Sequence, residues 1–328
     1  MRVAVLGAGS WGTALAIHLS RAGQEVALWC RDAAVADAIR RDGRHPTRLR
    51  GLAIPAAVAP MTDLSAVLRG AEALVLAVPC ASYRAVLRAL PHAAAESRIF
   101  LSTAKGLDAD SGKRMSEITR EEAPGAEVAA LSGPTFADGV ARGDPSAAVV
   151  ADAGESLARR LQAAFSTPQF RLYSSDDLVG VELCGALKNV VAIAAGIVSG
   201  LGFGHNTMAA LVTRGLAEMG RIVLARGGQD RTLHGLAGVG DLLLTCTGQQ
   251  SRNRFVGEQI GRGRALAEIL AEMPEVAEGA RTCLAVPTMA ARAGTEAPIA
   301  EAVVRVLYER VPAREAIGQL MTRALKSE

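Results

Sequence analysis

The sequence predicts an α/β protein in which a doubly wound parallel sheet forms the N-terminal domain and an all-helical domain follows it. Three observations carry that prediction. Short apolar runs alternate with helical segments as far as about Asp176, a glycine-rich turn separates the first run from the first helix, and Ala- and Leu-rich helical patterns take over beyond Asp176. Alternating strands and helices imply a parallel sheet, because each strand must be brought back in the same direction by a crossover. The domains are accordingly expected at 1–176 and 177–328. A chain of 328 residues, 50% apolar and 21% charged, is long enough to fill both cores.

Taken in order, Val3–Leu6 reads as a strand and Gly7-Ala-Gly-Ser-Trp-Gly12 as a tight turn. A helix carrying Leu15, Ile17 and Leu19 follows and stops at Gly23. Glu25–Cys30, Ala73–Val78, Arg98–Thr103 and Glu127–Ser132 read as further strands, and Ser146–Val150 and Phe170–Tyr173 as two more at the sheet edge. The helical half is punctuated at Gly200-Leu-Gly-Phe-Gly204, Gly238-Val-Gly240, Gly261-Arg-Gly263 and Pro298. No linker is visible, so a continuous helix is expected to leave the sheet near Asp177 and to place an interdomain cleft beside Lys188.

Composition excludes several function classes. Net charge is only +3, and basic residues are mixed with acidic ones without stacking aromatics, which argues against nucleic acid. Cys30, Cys80, Cys184, Cys246 and Cys283 lie far apart, fitting reduced thiols in a cytoplasm and giving no metal-ligand spacing. The N-terminal apolar run is strand-length and enters a glycine loop, unlike a secretory signal. Val190–Val212 is apolar, but glycines, His205 and Asn206 interrupt it, so a buried helix pair is expected instead of a membrane span.

The glycine turn Gly7/Gly9/Gly12 sits between a strand and a helix, the Rossmann-type arrangement that lays a pyrophosphate against a helix N-terminus. At the end of the second strand, Arg31 suits the 2′-phosphate of NADPH, while the neighbouring Asp32 suits the ribose of NADH. Lys105 and the Gly133-Pro-Thr135 turn follow later strands, at the sheet end where such folds bind ligands. Lys105 reads either as a crevice cation or as a solvated loop residue, and Gly133 and Thr135 either as ligand contacts or as turn chemistry.

Lys188 is the most unusual residue. No other Asp, Glu, Lys or Arg occurs from Leu183 through Thr213, and of the 36 Lys and Arg residues only Lys105, Lys113, Lys188 and Lys326 are lysine. Arginine stays charged at any working pH, whereas a desolvated lysine can exchange protons. Lys188 therefore reads as a proton-transfer group. Asp241 reads as a helix cap or as the partner of that amine, and Ser251-Arg252-Asn253 as a capping motif or as a phosphate site at a helix start.

These motifs together resemble the bacterial NAD(P)-dependent glycerol-3-phosphate dehydrogenases. The likeness rests on Gly7-Ala-Gly-Ser-Trp-Gly12, Thr103-Ala-Lys-Gly106, Leu131-Ser-Gly-Pro-Thr-Phe-Ala137 and Glu182-Leu-Cys-Gly-Ala-Leu-Lys-Asn-Val190. It continues through Gly240-Asp-Leu-Leu-Leu-Thr-Cys-Thr247, Ser251-Arg-Asn-Arg254 and Val276-Ala-Glu-Gly279, in the family's order over nearly the whole chain. The resemblance implies interconversion of dihydroxyacetone phosphate and sn-glycerol 3-phosphate for phospholipid synthesis. It implies Lys188 as the catalytic proton carrier and Lys105, Gly133, Thr135, Lys188, Asp241, Ser251, Arg252 and Asn253 as substrate contacts. Cofactor contacts are implied at Ser10, Trp11, Arg31, Lys105, Ala137, Arg252, Val276 and Glu278, beside the glycines of the turn. NADPH is the expected cofactor, with NADH the alternative, and a homodimer is compatible with the small-residue helix after Lys188. The rival readings are a β-hydroxyacid dehydrogenase, which would lack a phosphate anchor, and an NADPH-binding sensor, which would transfer no hydride.

Overall fold

The computed structural model describes residues 1–91, 98–273 and 275–325. Two compact units emerge, one made of Met1–Ala104 and Arg114–Glu182, the other of Lys105–Lys113 and Leu183–Glu328. The segment Lys105–Lys113 thus groups with the helical unit, and the later changeover falls at Glu182, beyond residue 176.

The first unit runs β1 (Arg2–Leu6), α1 (Ser10–Arg21), β2 (Glu25–Trp29), α2 (Ala33–Asp42), β3 (Val58–Met61), α3 (Leu64–Leu68), β4 (Ala73–Leu76), α4 (Cys80–Arg88), β5 (Ile99–Ser102), α5 (Met115–Glu122), β6 (Glu127–Ser132), α6 (Ala137–Arg142), β7 (Ser146–Ala151), α7 (Ser156–Phe165) and β8 (Phe170–Ser175). The strands form one sheet in the order β3-β2-β1-β4-β5-β6-β7-β8. Both faces are covered, which is why the strands read as unbroken apolar runs. Val3, Val5, Val75 and Leu101 pack with Leu15, Ile17, Leu161 and Phe165 on one side. Ala4, Leu6, Leu74 and Phe100 pack with Tyr83, Leu87, Met115 and Ile118 on the other.

Two features differ from the sequence reading. The first is β3, an edge strand paired only with β2 from Val26↔Val58 to Trp29↔Met61. Its Pro60 supplies no ladder donor, which an edge tolerates and a propensity reading penalises. The second is β7, which lies antiparallel to β6 with Ser132 opposite Val149, so the expected parallel sheet is mixed at this step. The link between them holds only the short α6, which ends at the left-handed Gly143 (φ +90°) and turns the chain back.

The helical unit begins within α8 (Leu178–Gly200), capped by Asp177, whose carboxylate accepts the Gly180 N–H at 2.8 Å. It continues with α9 (His205–Ala225), α10 (Asp230–Leu233), α11 (Asp241–Thr247), α12 (Arg252–Gly261), α13 (Leu266–Glu272), α14 (Glu278–Arg292), α15 (Pro298–Tyr308) and α16 (Ala313–Met321). Pro298 occupies the first turn of α15, where its missing N–H costs no helix bond. By length and hydropathy α8 would cross a membrane, yet its most apolar window is wholly buried inside the protein, as befits a core helix.

Close packing of α8 on α12 explains the small residues after Lys188. A methyl on Gly196 or Gly200 would collide with the backbone carbonyl of Arg254 or Glu258, and one on Gly257 with that of Ile193. The glycine face is consumed within the chain. A homodimer would therefore need a different surface.

Candidate active site

Within the helical unit, Lys105, Lys188 and Asp241 form one charged cluster. Lys188 on α8 is 4% exposed and Asp241 1%. The Lys188 Nζ donates to Asp241 Oδ1 at 2.6 Å and to Thr245 Oγ1 at 2.6 Å. Lys105 Nζ donates to the other carboxylate oxygen, Oδ2, at 2.7 Å. Two ammonium groups thus share one carboxylate.

Local sequence explains how Asp241 arrives there. Leu236–Gly240 makes a wide π-type turn in which Gly238 lies so close to the Leu233 backbone that a methyl would collide with it. This turn ends where α11 begins, and Gly240, not Asp241, occupies the cap position. The Asp241 side chain is thereby directed to the two lysines. One helical turn later, Thr245 donates to the Asp241 carbonyl at 2.6 Å and keeps its hydroxyl oxygen toward Lys188.

The environment tunes these groups. Burial pulls the Lys188 ammonium from its ordinary value of 10.5 down to about 8, with Asp241 opposing the drop and the Lys105 charge adding to it. Burial alone would raise the Asp241 carboxyl, but Lys105 and Lys188 outweigh it and hold that group below its ordinary range. Cys246, also close to this cluster, is pushed by burial up to about 12 and stays a thiol.

The sequence alone assigns no role to Asn189 or Thr245. The Asn189 amide donates to the Lys105 carbonyl at 2.7 Å and to the Gly185 carbonyl at 3.3 Å, so α8 fixes Lys105 from the residue beside Lys188. Both lie inside motifs quoted for the family resemblance, which was the available signal.

Ser251, Arg252 and Asn253 gather at the start of α12. The Ser251 hydroxyl caps the helix, accepting the Arg254 N–H at 3.2 Å. Asn253 is buried, and its Oδ1 accepts the Gly279 N–H at 2.9 Å. Arg252 pairs with Glu275. These contacts bring the segment carrying Val276 and Glu278 against the first turn of α12, joining the expected substrate and cofactor residues of this unit. Capping and phosphate binding remain compatible at Ser251, because a helix start offers several N–H groups.

In the sheet unit, the carboxyl ends of β1, β2 and β6 carry the remaining expected residues. Gly7 adopts φ +117°, and a methyl on it would lie 2.6 Å from the Ala77 carbonyl oxygen; one on Gly12 would strike the Gly7 carbonyl. Gly9 faces open space. Among the described residues no side chain caps α1, and the buried Trp11 Nε1 has no hydrogen-bond partner. Ser10 opens the helix beside it. The loop therefore presents an uncapped helix start and an unpaired indole donor at an open cradle, which fits a dinucleotide pyrophosphate. His45, also missed in the sequence, buttresses the loop: its Nδ1 accepts the Thr47 and Arg48 N–H groups, so Nε2 donates to the Ala8 carbonyl at 2.9 Å.

At β2, Arg31 is exposed, whereas the Asp32 carboxylate caps α2 by accepting the Ala34 N–H at 2.9 Å. At β6, Gly133 (φ +146°) lies against β7, where a methyl would come within 2.8 Å of the Ala148 Cα. Its carbonyl accepts the Thr135 hydroxyl at 3.1 Å, and Ala137 opens α6.

The chain matches two family models in sequence order, the NAD-dependent glycerol-3-phosphate dehydrogenase N-terminus over residues 2–158 and the C-terminus over residues 177–318. It is 48% identical over 331 residues to the glycerol-3-phosphate dehydrogenase [NAD(P)+] of Geobacter sp. (strain M21), covering 100% of this chain and 98% of that relative. The protein of the same name from Nitratidesulfovibrio vulgaris (strain DP4) is 46% identical over 330 residues, with both chains fully covered. A crystal structure of glycerol-3-phosphate dehydrogenase from Coxiella burnetii superposes with a TM-score of 0.92 at 36% identity, over 98% of this chain and 99% of that one. Since the likeness takes in the sheet unit and the lysine cluster alike, the chain belongs to the NAD-dependent glycerol-3-phosphate dehydrogenase family.

Proposed function

We propose that the protein interconverts dihydroxyacetone phosphate and sn-glycerol 3-phosphate, using NADPH in preference to NADH, and so supplies glycerol 3-phosphate for phospholipid synthesis. The observation that carries this reading is the buried Lys188 amine, brought to about 8 and held between Asp241 and Thr245. An amine so placed is half protonated near working pH, where general acid and base catalysis are most effective.

The cofactor of the family is a nicotinamide dinucleotide, which when bound supplies or accepts the hydride. Gly7, Gly9, Ser10, Trp11 and Gly12 hold its pyrophosphate, with Ala137, Lys105, Arg252, Val276 and Glu278 as further contacts. Arg31 selects the 2′-phosphate, while Asp32 caps α2 through one carboxylate oxygen.

During reduction the Lys188 ammonium gives its proton to the substrate oxygen, and during oxidation the neutral amine removes the hydroxyl proton. Asp241 keeps Lys188 charged and aligned, and Lys105 neutralises the developing alkoxide. Gly133 and Thr135 contact the substrate, while Ser251, Arg252 and Asn253 take its phosphate, an anchor that a β-hydroxyacid dehydrogenase would not need. Five buried free thiols suit a reducing cytoplasm. A homodimer, where it forms, would not use the α8 glycine face.

Lys188→Arg tests the proton transfer, since it keeps the charge and abolishes exchange. Reduction of dihydroxyacetone phosphate is expected to fall by at least ~100-fold, in line with the general acid–base contribution. Turnover within a few-fold of wild type would refute the role of Lys188.

A further inference from the structure

Resting on the phosphate reading of α12, we infer that the glycine contact between α8 and α12 is a ruler that fixes the distance from Lys188 to the phosphate anchor and so selects for a short phosphorylated ketone. Gly196 and Gly200 on α8 face Gly257 and Gly261 on α12, and each glycine meets backbone of the opposite helix. Methyls at Gly196, Gly200 and Gly257 would collide with the carbonyls of Arg254, Glu258 and Ile193, and one at Gly261 would lie 2.6 Å from the Ile197 carbonyl oxygen. Backbone cannot rotate aside as a side chain can. Any side chain at these positions must push the helices apart.

Direction and register follow from the same contacts. Gly196 meets Arg254 and Gly200 meets Glu258; Gly257 meets Ile193 and Gly261 meets Ile197. An advance along one helix accompanies an equal advance along the other, so the two helices run parallel. Tracing both back equally from the Gly200–Gly261 contact brings Arg252 level with Val191, which lies three residues, about 4.5 Å of rise, from Lys188. A separate contact agrees: a methyl on Gly279 would lie 2.6 Å from the Asn189 carbonyl oxygen and 2.8 Å from Asn253 Oδ1. The residue beside Lys188 and the last residue of the phosphate turn thus border the same glycine.

Ordinary helix pairs stand about 8–10 Å apart, and glycine pairs approach more closely. In dihydroxyacetone phosphate only a C–C, a C–O and an O–P bond separate the reacting carbonyl carbon from phosphorus. Such a substrate cannot lengthen to follow a displaced anchor. A shift of about 1 Å in a bound substrate can cost ~100-fold in rate.

The experiment compares dihydroxyacetone phosphate with dihydroxyacetone, which has no phosphate, in wild type and in Gly257→Ala. The expected result is a fall of roughly 10- to 100-fold in kcat/KM for the phosphorylated ketone, with the unphosphorylated one changed by less than about three-fold. A merely weakened fold would lower both together. Should Gly257→Ala not fold, Gly261→Ala, at the end of α12 remote from the anchor, is expected to give a smaller shift of the same ratio. Equal losses for both ketones, or a folded variant with the wild-type ratio, would overturn the ruler. A wild-type enzyme indifferent to the phosphate would instead overturn the reading of α12, and the inference with it.

Discussion

Replacing Asp241 with asparagine isolates what the carboxylate does for the Lys188 proton. Asparagine keeps the size of the side chain and the oxygen facing Lys188, but removes the charge shared by two ammonium groups 2.6 and 2.7 Å away. A neighbouring opposite charge supports an ionised group by about 1–3 pKa units. From a starting value of about 8, the Lys188 pKa in Asp241→Asn is expected near ~6. The sign follows from the role of the group: reduction needs the ammonium, which is present below the pKa and lost as pH rises through it. The alkaline limb of kcat/KM for dihydroxyacetone phosphate should therefore move about two units toward acid. At pH ~7.5 the ammonium fraction would drop from about three-quarters to about one-thirtieth, some 25-fold by protonation alone. Following NADPH absorbance from pH ~5 to ~10 measures the limb in both proteins. A limb that stays within about half a unit of wild type would show that Asp241 does not hold that proton.

Other expectations follow from single contacts. His45→Ala removes the donor to the Ala8 carbonyl, a bond the free protein already makes and worth about 1 kcal/mol, so the melting temperature should fall by roughly 2–4 °C, and cofactor affinity by fluorescence titration should weaken by about five-fold at most. Arg31→Ala should raise KM for NADPH by roughly thirty-fold, about 2 kcal/mol for a charge-assisted bond, and leave KM for NADH unchanged; equal effects on both would remove Arg31 from cofactor selection. Glu218, buried on α9, accepts the Ile299 and Ala300 N–H groups at 2.8 and 3.0 Å at the start of α15. Glu218→Ala should cost about 2 kcal/mol by leaving those donors unpaired, lowering the melting temperature by several degrees without altering kcat below it.

What was legible in the sequence was whatever departs from the ordinary. Lys188 stands out because a charge in a long apolar run must be paired, and the pairing partner, Asp241, could be named because a glycine turn precedes it. The strands were legible as unbroken apolar runs because the sheet is covered on both faces. By contrast, β3 hides behind Pro60, and the reversal at β7 depends on how a short helix ends, which no periodicity encodes. His45, Asn189 and Thr245 are unremarkable residue types whose importance arises only when folding brings a carbonyl or an ammonium to them.

The glycines after Lys188 show where sequence reasoning stops and why. Read along α8 alone, Gly196 and Gly200 permit close approach by any helix, so a second chain and the protein's own core are equally good partners. The choice is made by Gly257 and Gly261, whose spacing matches theirs but whose place in the sequence lies beyond three intervening helices. Only the folded chain sets the two pairs face to face. Once it does, the same contact that excludes a dimer through this face also holds the start of α12 near Lys188. A packing motif that is ambiguous in one helix thereby becomes, in two, a constraint on the length of the substrate.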